Sequence, residues 1–569
     1  MKSKEKMIDH LLGALSIEEK TGQMLVFGLT GVFAGPEIED LIDNHCISGL
    51  RTSPSFARKF IRYLPDGALG VENVNRPPVP GEKMWDDSIY PPPIPPSQYA
   101  KLLNDLRKRA MDRKHPIPLH YTIDCESGGG NYAAPGVITP PEQMGLGVLN
   151  DLDLIRRCNK AVASQMKAVG MNMLQNPVVD VNINPESPEV STRAFGEDQD
   201  TVTRCARAAL KGLAEGGVLG CLKHYPGRGA SSDDAHFGVC VTDVDRETMY
   251  RIFLEPYRVL CAEGLVSAIM PAHAIYPALD DSNEVATVSK KILTGILRDE
   301  FGYNGLITTD SMTMGGLMAR YSVSEAVVKA VDAGVDILLL KDDNSLRYEA
   351  HAALVQAVKD RRLTESRIDE SLRRIWSAKW DLGLFETGGL VETNGLDEAL
   401  FDDEYHAVAK ETAYRCIKVL RDDQDILPLK RDQKVLVVDR ATLTQLYENN
   451  YWNYPGMFWE FMLKENRNVS YIDYQPETMD RALPLIDQIA PQVDVIVATS
   501  HFSRSATQDT KEFIVGLKKY GKPVVLVTNN PYELAVPKEM DTVICPFGLM
   551  HDTLEAVSRF LFDGSACSC

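Results

Sequence analysis

Short apolar runs recur along the chain, and each ends in polar residues able to do chemistry. Leu119 to Ile123 runs into Asp124 and Glu126, and Met173 to Val181 ends around Asp180 and Asn182. Val218 to Leu222 ends at Lys223 and His224, and Val266 to Met270 is followed by His273. Leu306 to Thr309 ends at Asp310, and Val335 to Leu340 ends at Lys341 and Asp342. Between them lie amphipathic stretches with helical spacing, among them Leu152 to Val169, Arg246 to Glu263 and Ser289 to Phe301. Strands alternating with helices pair in parallel through crossover connections. Reactive side chains at the carboxyl ends of successive strands predict an α/β fold of the (β/α)8, TIM-type barrel kind, whose strand-to-helix loops build the site. A doubly wound sheet also has polar strand ends. Six such strands within roughly 220 residues, with room upstream for more, suit a closed barrel better.

Residues 53–98 interrupt the alternation. They contain Arg76-Pro-Pro-Val-Pro80 and Pro91-Pro-Pro-Ile-Pro-Pro96, which exclude regular helix and central strand. The segment reads as a long loop or insertion on the barrel, either covering the site, serving an interface or merely crossing the surface. The barrel is therefore expected over 1–384. Residues 385–400 are Gly- and Glu-rich and read as linker, and with a connecting helix near Glu404 to Ile417 they make a joining segment over 385–430. A smaller α/β (αβα) sandwich domain is expected over 431–569. Its strands are predicted at Lys434 to Val438, Val469 to Ile472, Val493 to Ala498, Pro523 to Thr528 and Thr542 to Cys545. No G-x-G-x-x-G follows the first of these and no Walker sequence is present, so a nucleotide cofactor is not expected.

Composition narrows the function classes. The 569 residues are too many for one ordinary domain, and 44% hydrophobic with 25% charged residues is an ordinary globular balance. A formal net charge of -19 argues against nucleic acid as a partner, which needs a basic face. No apolar run is long enough to span a bilayer, and the start lacks a signal-peptide core, so the expectation is a cytoplasmic protein without a membrane partner. The eleven cysteines are scattered and mostly within apolar segments, which reads as reduced core thiols rather than a disulfide framework. The oligomeric state is left open.

The densest polar segment is Lys223-His-Tyr-Pro-Gly-Arg-Gly-Ala-Ser-Ser-Asp-Asp-Ala-His236, an irregular loop leaving a strand. Asp234 and His236 are two apart, so in extended backbone they share a face and the carboxylate can orient the imidazole. A capped loop histidine, or a metal held by His224, Asp234 and His236, would use the same residues, although neither a nearby cysteine nor H-E-x-x-H supports a metal. Asp310 alone could cap the helix that follows it. Paired with a loop histidine it becomes a candidate nucleophile, since glycoside hydrolysis needs a carboxylate below the anomeric carbon and a proton donor above it. Arg193, in Ser191-Thr-Arg-Ala-Phe-Gly-Glu-Asp198, either sits in a loop ion pair or offers its planar fork to sugar hydroxyls.

These residues make the chain recognisable: it resembles glycoside hydrolase family 3, and within it the bacterial β-N-acetylglucosaminidase (β-N-acetylhexosaminidase) branch. The resemblance runs from Leu15-Ser-Ile-Glu-Glu-Lys-Thr-Gly-Gln-Met24 through Ile123-Asp-Cys-Glu126, Asn176-Pro-Val-Val-Asp-Val-Asn182, Thr192-Arg-Ala-Phe-Gly196 and Lys223-His-Tyr-Pro-Gly227. It continues through Met270-Pro-Ala-His273, Ala286-Thr-Val-Ser289, Leu297-Arg-Asp-Glu-Phe-Gly-Tyr-Asn-Gly305, Ile307-Thr-Thr-Asp310, Ala333-Gly-Val-Asp-Ile-Leu338 and Asp369-Glu-Ser-Leu-Arg-Arg374.

The resemblance implies a barrel followed by a sandwich, with Asp310 as nucleophile, His236 as acid/base and Asp234 as its partner. Sugar-binding roles would fall on Asp124, Arg193, Lys223, His224 and His273. No cofactor or metal is implied, and the substrate would be a small carbohydrate with a terminal β-linked sugar. The D-x-H loop separates this branch from the family's β-glucosidases and β-xylosidases, and so favours an N-acetylglucosaminide removed by double displacement with retention. Alternatives are a β-glucosidase or β-xylosidase, a phosphorylase in which phosphate replaces water, and a non-catalytic carbohydrate-binding protein. Three features depart from the branch pattern: Arg228 stands where a histidine is usual, Cys125 to Asn131 replaces E-G-G-x-V, and the proline-rich insertion is atypical.

Overall fold

The protein is described by a computed structural model over residues 3–31, 34–53, 59–63, 69–73, 95–126, 137–235, 238–342, 344–440, 456–475, 478–500, 508–548 and 550–564. Eight parallel strands close into a barrel, each hydrogen-bonded to the next and the last to the first. They are β1 (Leu25–Thr30), β2 (Gly49–Ser53), β3 (His120–Ile123), β4 (Met173–Leu174), β5 (Leu219–Tyr225), β6 (Ala268–Pro271), β7 (Leu306–Ser311) and β8 (Ile337–Leu340). Closure is made where Leu25, Val26 and Phe27 of β1 lie beside Leu338, Leu339 and Leu340 of β8. The strands read as nearly unbroken apolar runs because helices cover the outer face while side chains fill the interior.

The expected strand Met173 to Val181 shrinks to two residues, with one further bridge between Val178 and Lys223. Pro177 removes a backbone donor in the middle of that run, so a continuous ladder cannot form. The helix Leu152–Val169 has the predicted bounds, started by the Asp151 carboxylate on the Leu154 N–H and stopped by Gly170 at φ 114°. Within 53–98, Lys59–Tyr63 and Leu69–Asn73 pair antiparallel, so part of the expected loop is a hairpin; the proline-rich runs to residue 94 lie outside the described residues.

Downstream stands a six-stranded sheet. In chain order its strands are β9 (Lys418–Asp422), β10 (Val435–Arg440), β11 (Val469–Tyr474), β12 (Val495–Ser500), β13 (Val524–Thr528) and β14 (Thr542–Cys545), and in space they run β9-β14-β13-β12-β10-β11. All pairs are parallel except β9 with β14. Alternate residues serve two cores: Val435, Val437, Val495 and Val497 pack on one side, and Leu436, Val438, Ile496 and Ala498 on the other. This is the α/β sandwich. The expected linker 385–400 holds two short helices, Leu384–Thr387 and Leu396–Leu400.

The connecting helix, Asp403–Cys416, packs against both Leu152–Val169 of the barrel and His551–Asp563 of the sandwich. Leu154, Cys158 and Val408 form a small shared core there. Nearer the barrel mouth, Phe547 closes on Gly145, where a Cβ would lie 2.7 Å from the Phe547 Cβ. Every described cysteine is free, and all but Cys261 are buried. Among the described residues, no helix is long and apolar enough to cross a membrane.

Candidate active site

The mouth of the barrel is organised by a line of alternating charges. Lys223, near the end of β5 and 2% exposed, reaches the Asp124 carboxylate 3.0 Å away after β3 and also contacts Glu126. Asp124 also accepts the Arg51 Nε at 3.1 Å from β2. Glu126 accepts a two-pronged bond from Arg193, at 2.6 Å from Nε and 2.8 Å from Nη2.

Burial alone would raise both carboxyls. The cations reverse this: Lys223 and Arg51 hold Asp124 far below the usual carboxylate range, and Arg193 and Lys223 hold Glu126 at about 2. Burial opposes the charge on Lys223 as well, yet Asp124 and Glu126 raise it above its ordinary value. Lys223 is thus held in the charged form, and the two carboxylates fix all three cations in position.

His224 follows Lys223 on the same strand, where the register of β5 against β6 shifts. Its Nδ1 lies 2.8 Å from Asp180, whose other oxygen accepts the Arg228 N–H at 2.7 Å. Asp180 thereby ties the end of β5 to the start of the glycine-rich loop.

Asp310 sits at the penultimate position of β7, partly exposed between the buried Thr309 and Ser311. The pairing of β7 with β8 slips between Thr308 and Ser311, three residues facing the span of two. A local irregularity of this kind re-aims a side chain at the end of a strand. The Ser311 N–H donates to the Asp310 carboxylate at 2.7 Å. His273 braces the same corner: its Nε2 lies 3.0 Å from the Ser311 carbonyl, which places the proton on that nitrogen, and its Nδ1 lies 2.7 Å from the Thr287 hydroxyl. Both ring nitrogens therefore meet chain atoms.

The loop after β5 folds back over this end of the barrel. Arg228 and Glu189 form an ion pair with both side chains 2% exposed, and Glu189 also accepts the Ala235 N–H at 3.0 Å. The Ala235 carbonyl accepts the Gly316 N–H at 3.0 Å, and the Asp234 carbonyl accepts the Gly238 N–H at 3.3 Å. His236 lies outside the described residues.

Of the expected site residues, Asp124, Arg193 and Lys223 share one network, and His224, His273 and Asp310 stand at neighbouring strand ends. Asp234 lies on the loop next to them in chain order. Arg51, Asp180 and Glu189 were not foreseen as site residues. Asp180 had a signal, as the polar end of an apolar run; Arg51 and Glu189 had none, being single charges in short segments without periodicity. Among the described residues, the one grouping with metal-ligand chemistry is His551, Asp552 and Glu555, on the last helix of the sandwich.

The second domain reaches this mouth. Asn182 donates to the Tyr532 hydroxyl at 2.7 Å, Asn530 donates to the Ser191 hydroxyl at 3.0 Å, and Asn529 donates to Glu142 at 3.2 Å.

Comparison with known proteins bears on what such a mouth does. The family description "Glycosyl hydrolase family 3 N terminal domain" matches residues 94–378, just over half of the chain. Beta-hexosaminidase A of Pseudoalteromonas piscicida is 29% identical over 360 residues, covering 60% of this chain and 59% of the relative. A beta-hexosaminidase of Glaesserella parasuis serovar 5 is 32% identical over 244 residues, covering 43% of this chain and 69% of the relative. A solved structure of a glycoside hydrolase family 3 beta-N-acetylglucosaminidase from Paenibacillus sp. str. FPU-7 superposes with a TM-score of 0.83 at 25% identity, covering 97% of this chain and 98% of that one. The fold of a beta-glucoside phosphorylase, BglX, is shared with a TM-score of 0.77 at 23% identity, covering 99% of this chain and 95% of that one. The chain spans 59% and 58% of the length of two curated relatives, the hexosaminidase of P. piscicida and a beta-N-acetylglucosaminidase/beta-glucosidase of Cellulomonas fimi. With its closed barrel, its sandwich and a family match that includes β3 through β8, this chain belongs to glycosyl hydrolase family 3.

Proposed function

We propose that the chain is a retaining exo-β-glycosidase that removes terminal β-linked N-acetylglucosamine. The observation that carries this reading is the partly exposed Asp310 at a strand end beside a mouth of paired charges, with the loop leading to His236 docked close by in chain and space. Lys223 and Arg193 present hydrogen-bond donors whose charge Asp124 and Glu126 already balance, a setting suited to a neutral sugar. Asp310 attacks the anomeric carbon while protonated His236 gives its proton to the leaving oxygen. Water, deprotonated by His236, then displaces Asp310 and releases the sugar with its β configuration kept. An imidazole titrates near ~6.5, so a neighbouring Asp234 carboxylate would keep it protonated to a higher pH.

The relatives named for hexosaminidase or N-acetylglucosaminidase activity alone support this choice of sugar over glucose or xylose. Hydrolysis is favoured over phosphorolysis because Arg51, Lys223, Arg193 and Arg228 each meet a carboxylate, which makes the described mouth a poor host for a phosphate dianion. The free, buried cysteines agree with a reducing, cytoplasmic setting.

The test is a panel of aryl β-glycosides of N-acetylglucosamine, glucose and xylose assayed side by side, in phosphate and in a non-phosphate buffer. Preferred cleavage of the first, with no sugar 1-phosphate formed, is expected. A faster glucoside or xyloside would move the chain to another substrate, and sugar 1-phosphate would replace water by phosphate as the acceptor.

A further inference from the structure

Glu189 lies in an irregular segment between β4 and the Ser191–Arg193 turn, yet it joins three parts of the mouth. Its carboxylate receives both terminal nitrogens of Arg228 and, through Oε2, the Ala235 N–H at 3.0 Å. Its backbone carbonyl receives the Arg193 Nη1 at 2.8 Å. The Arg228 backbone is held in turn by Asp180, the partner of His224. Arg228 begins the irregular stretch of the glycine-rich loop and Ala235 immediately precedes His236. One buried carboxylate therefore grips the loop at both ends, closing it across seven residues, while fixing the arginine of the sugar side. On its other side Ala235 gives its carbonyl to Gly316, in the short helix that follows β7 and Asp310. The peptide units flanking Ala235 are pinned from both directions.

We infer that Glu189 and Arg228 are the positioning pair of the acid/base, setting the approach of His236 to the leaving oxygen without touching substrate. A buried two-pronged ion pair suits this task because its geometry is stiff in two directions and water does not loosen it. It also explains why an arginine stands at position 228: a guanidinium is long enough to meet Glu189 with both prongs, whereas an imidazole presents a single nitrogen on each side. The inference rests on His236 being the acid, as proposed above.

The test separates positioning from general stability by using paired neutral replacements, which leave no buried charge without its counterpart. Arg228→Met/Glu189→Met removes the ion pair and the acceptor for the Ala235 N–H. Arg228→Met/Glu189→Gln removes the ion pair but keeps an oxygen able to accept that N–H. Arg228→Lys keeps the charge and loses the second prong. Each is assayed on a dinitrophenyl β-N-acetylglucosaminide, which needs no proton on departure, and on an alkyl β-N-acetylglucosaminide, which does. For the Met/Met chain, kcat/KM on the alkyl glycoside is expected to fall at least tenfold more than on the dinitrophenyl glycoside. The Met/Gln chain recovers most of that difference, and Arg228→Lys lies between them. In a His236→Ala background the difference disappears, because no acid is left to position. Equal losses on both substrates in the Met/Met and Arg228→Lys chains, with His236→Ala alone showing the leaving-group dependence, would overturn the inference and leave His236 in place. If His236→Ala itself slows both substrates alike, the assignment of the acid fails, and the positioning role with it.

Discussion

Asn530, on the loop after β13 of the sandwich, donates to the hydroxyl of Ser191, 3.0 Å away and two residues before Arg193. Ser191 is one of the few non-glycine residues with positive φ, at 40°, so the turn that aims Arg193 is held in an uncommon conformation by a residue from the other domain. The sandwich thus acts on the mouth through the barrel's own backbone.

Replacing Asn530 with Ala is expected to raise KM more than it lowers kcat, since the sugar contact proposed for Arg193 would be made in both ground and transition states. A neutral hydrogen bond contributes about 0.5–1.5 kcal/mol, so kcat/KM should fall about 2- to 12-fold. Steady-state kinetics on an aryl N-acetylglucosaminide checks this; an unchanged KM would mean that the turn holds itself.

Asp310→Ala should lower turnover by several orders of magnitude in a folded protein. Azide should restore part of it by forming the α-glycosyl azide, entering from the face the carboxylate has vacated. His236→Ala rescued in the same way should yield the β-azide. Product configuration by NMR distinguishes the two roles directly.

Gly316 approaches the loop so closely that a Cβ there would lie 2.6 Å from the Gly238 carbonyl oxygen and 2.9 Å from that of Ala235. Both are backbone atoms, so Gly316→Ala must push the loop outward while leaving Arg228 and Glu189 paired. Turnover of alkyl glycosides is expected to drop more than that of dinitrophenyl glycosides, and the thermal midpoint to fall, because the clash is with backbone. A uniform loss on both substrates would contradict this.

The charge line also predicts a pH profile of stability. Glu126 falls from an ordinary 4.5 to about 2 on folding. A carboxyl with a depressed folded pKa stabilises fully above its unfolded value and loses that contribution as pH drops through the folded one, here from about 4.5 to about 2. Lys223, raised above 10.5, contributes fully below that value and loses its share only at more alkaline pH. The share of stability that Glu126 and Lys223 supply should therefore be level between these limits and fall on either side. It is read as the difference in thermal midpoint between the native chain and Glu126→Gln across pH. In Glu126→Gln the acid-side fall should be shallower and the plateau lower.

Much of this fold was legible because strand-end chemistry and helical spacing repeat. The last six barrel strands were each marked by an apolar run ending in a reactive residue, and the five parallel strands of the sandwich by buried valines and isoleucines. The edge strand β9 escaped notice, since Lys418-Val-Leu-Arg-Asp422 is largely unburied and pairs antiparallel, leaving no pattern of a buried strand. Strands β1 and β2 were only inferred as room upstream: Gly28 and Arg51 interrupt their apolar character, the first for a close approach to the Lys341 carbonyl and the second for Asp124. For the site, Asp310, Lys223 and Arg193 stood in motifs, whereas Glu189 draws its role from three partners 4, 39 and 46 residues away in sequence. Long-range convergence of that kind is a property of the folded chain.

The helix Asp403–Cys416 has consequences for how this protein can be divided. It lends one side to barrel residues Leu154 and Cys158 and another to the final helix, while Glu411 and Arg415 reach Arg157 and Asp151 at 3.2 and 2.9 Å. A chain cut after residue 384 would keep all eight barrel strands but bare an oily strip at Leu154 and Cys158 along its flank. Such a fragment is prone to clumping, and protein engineers seeking a minimal catalyst should either make that flank polar or carry the chain through residue 416 and make polar the side of the helix that faces His551–Asp563.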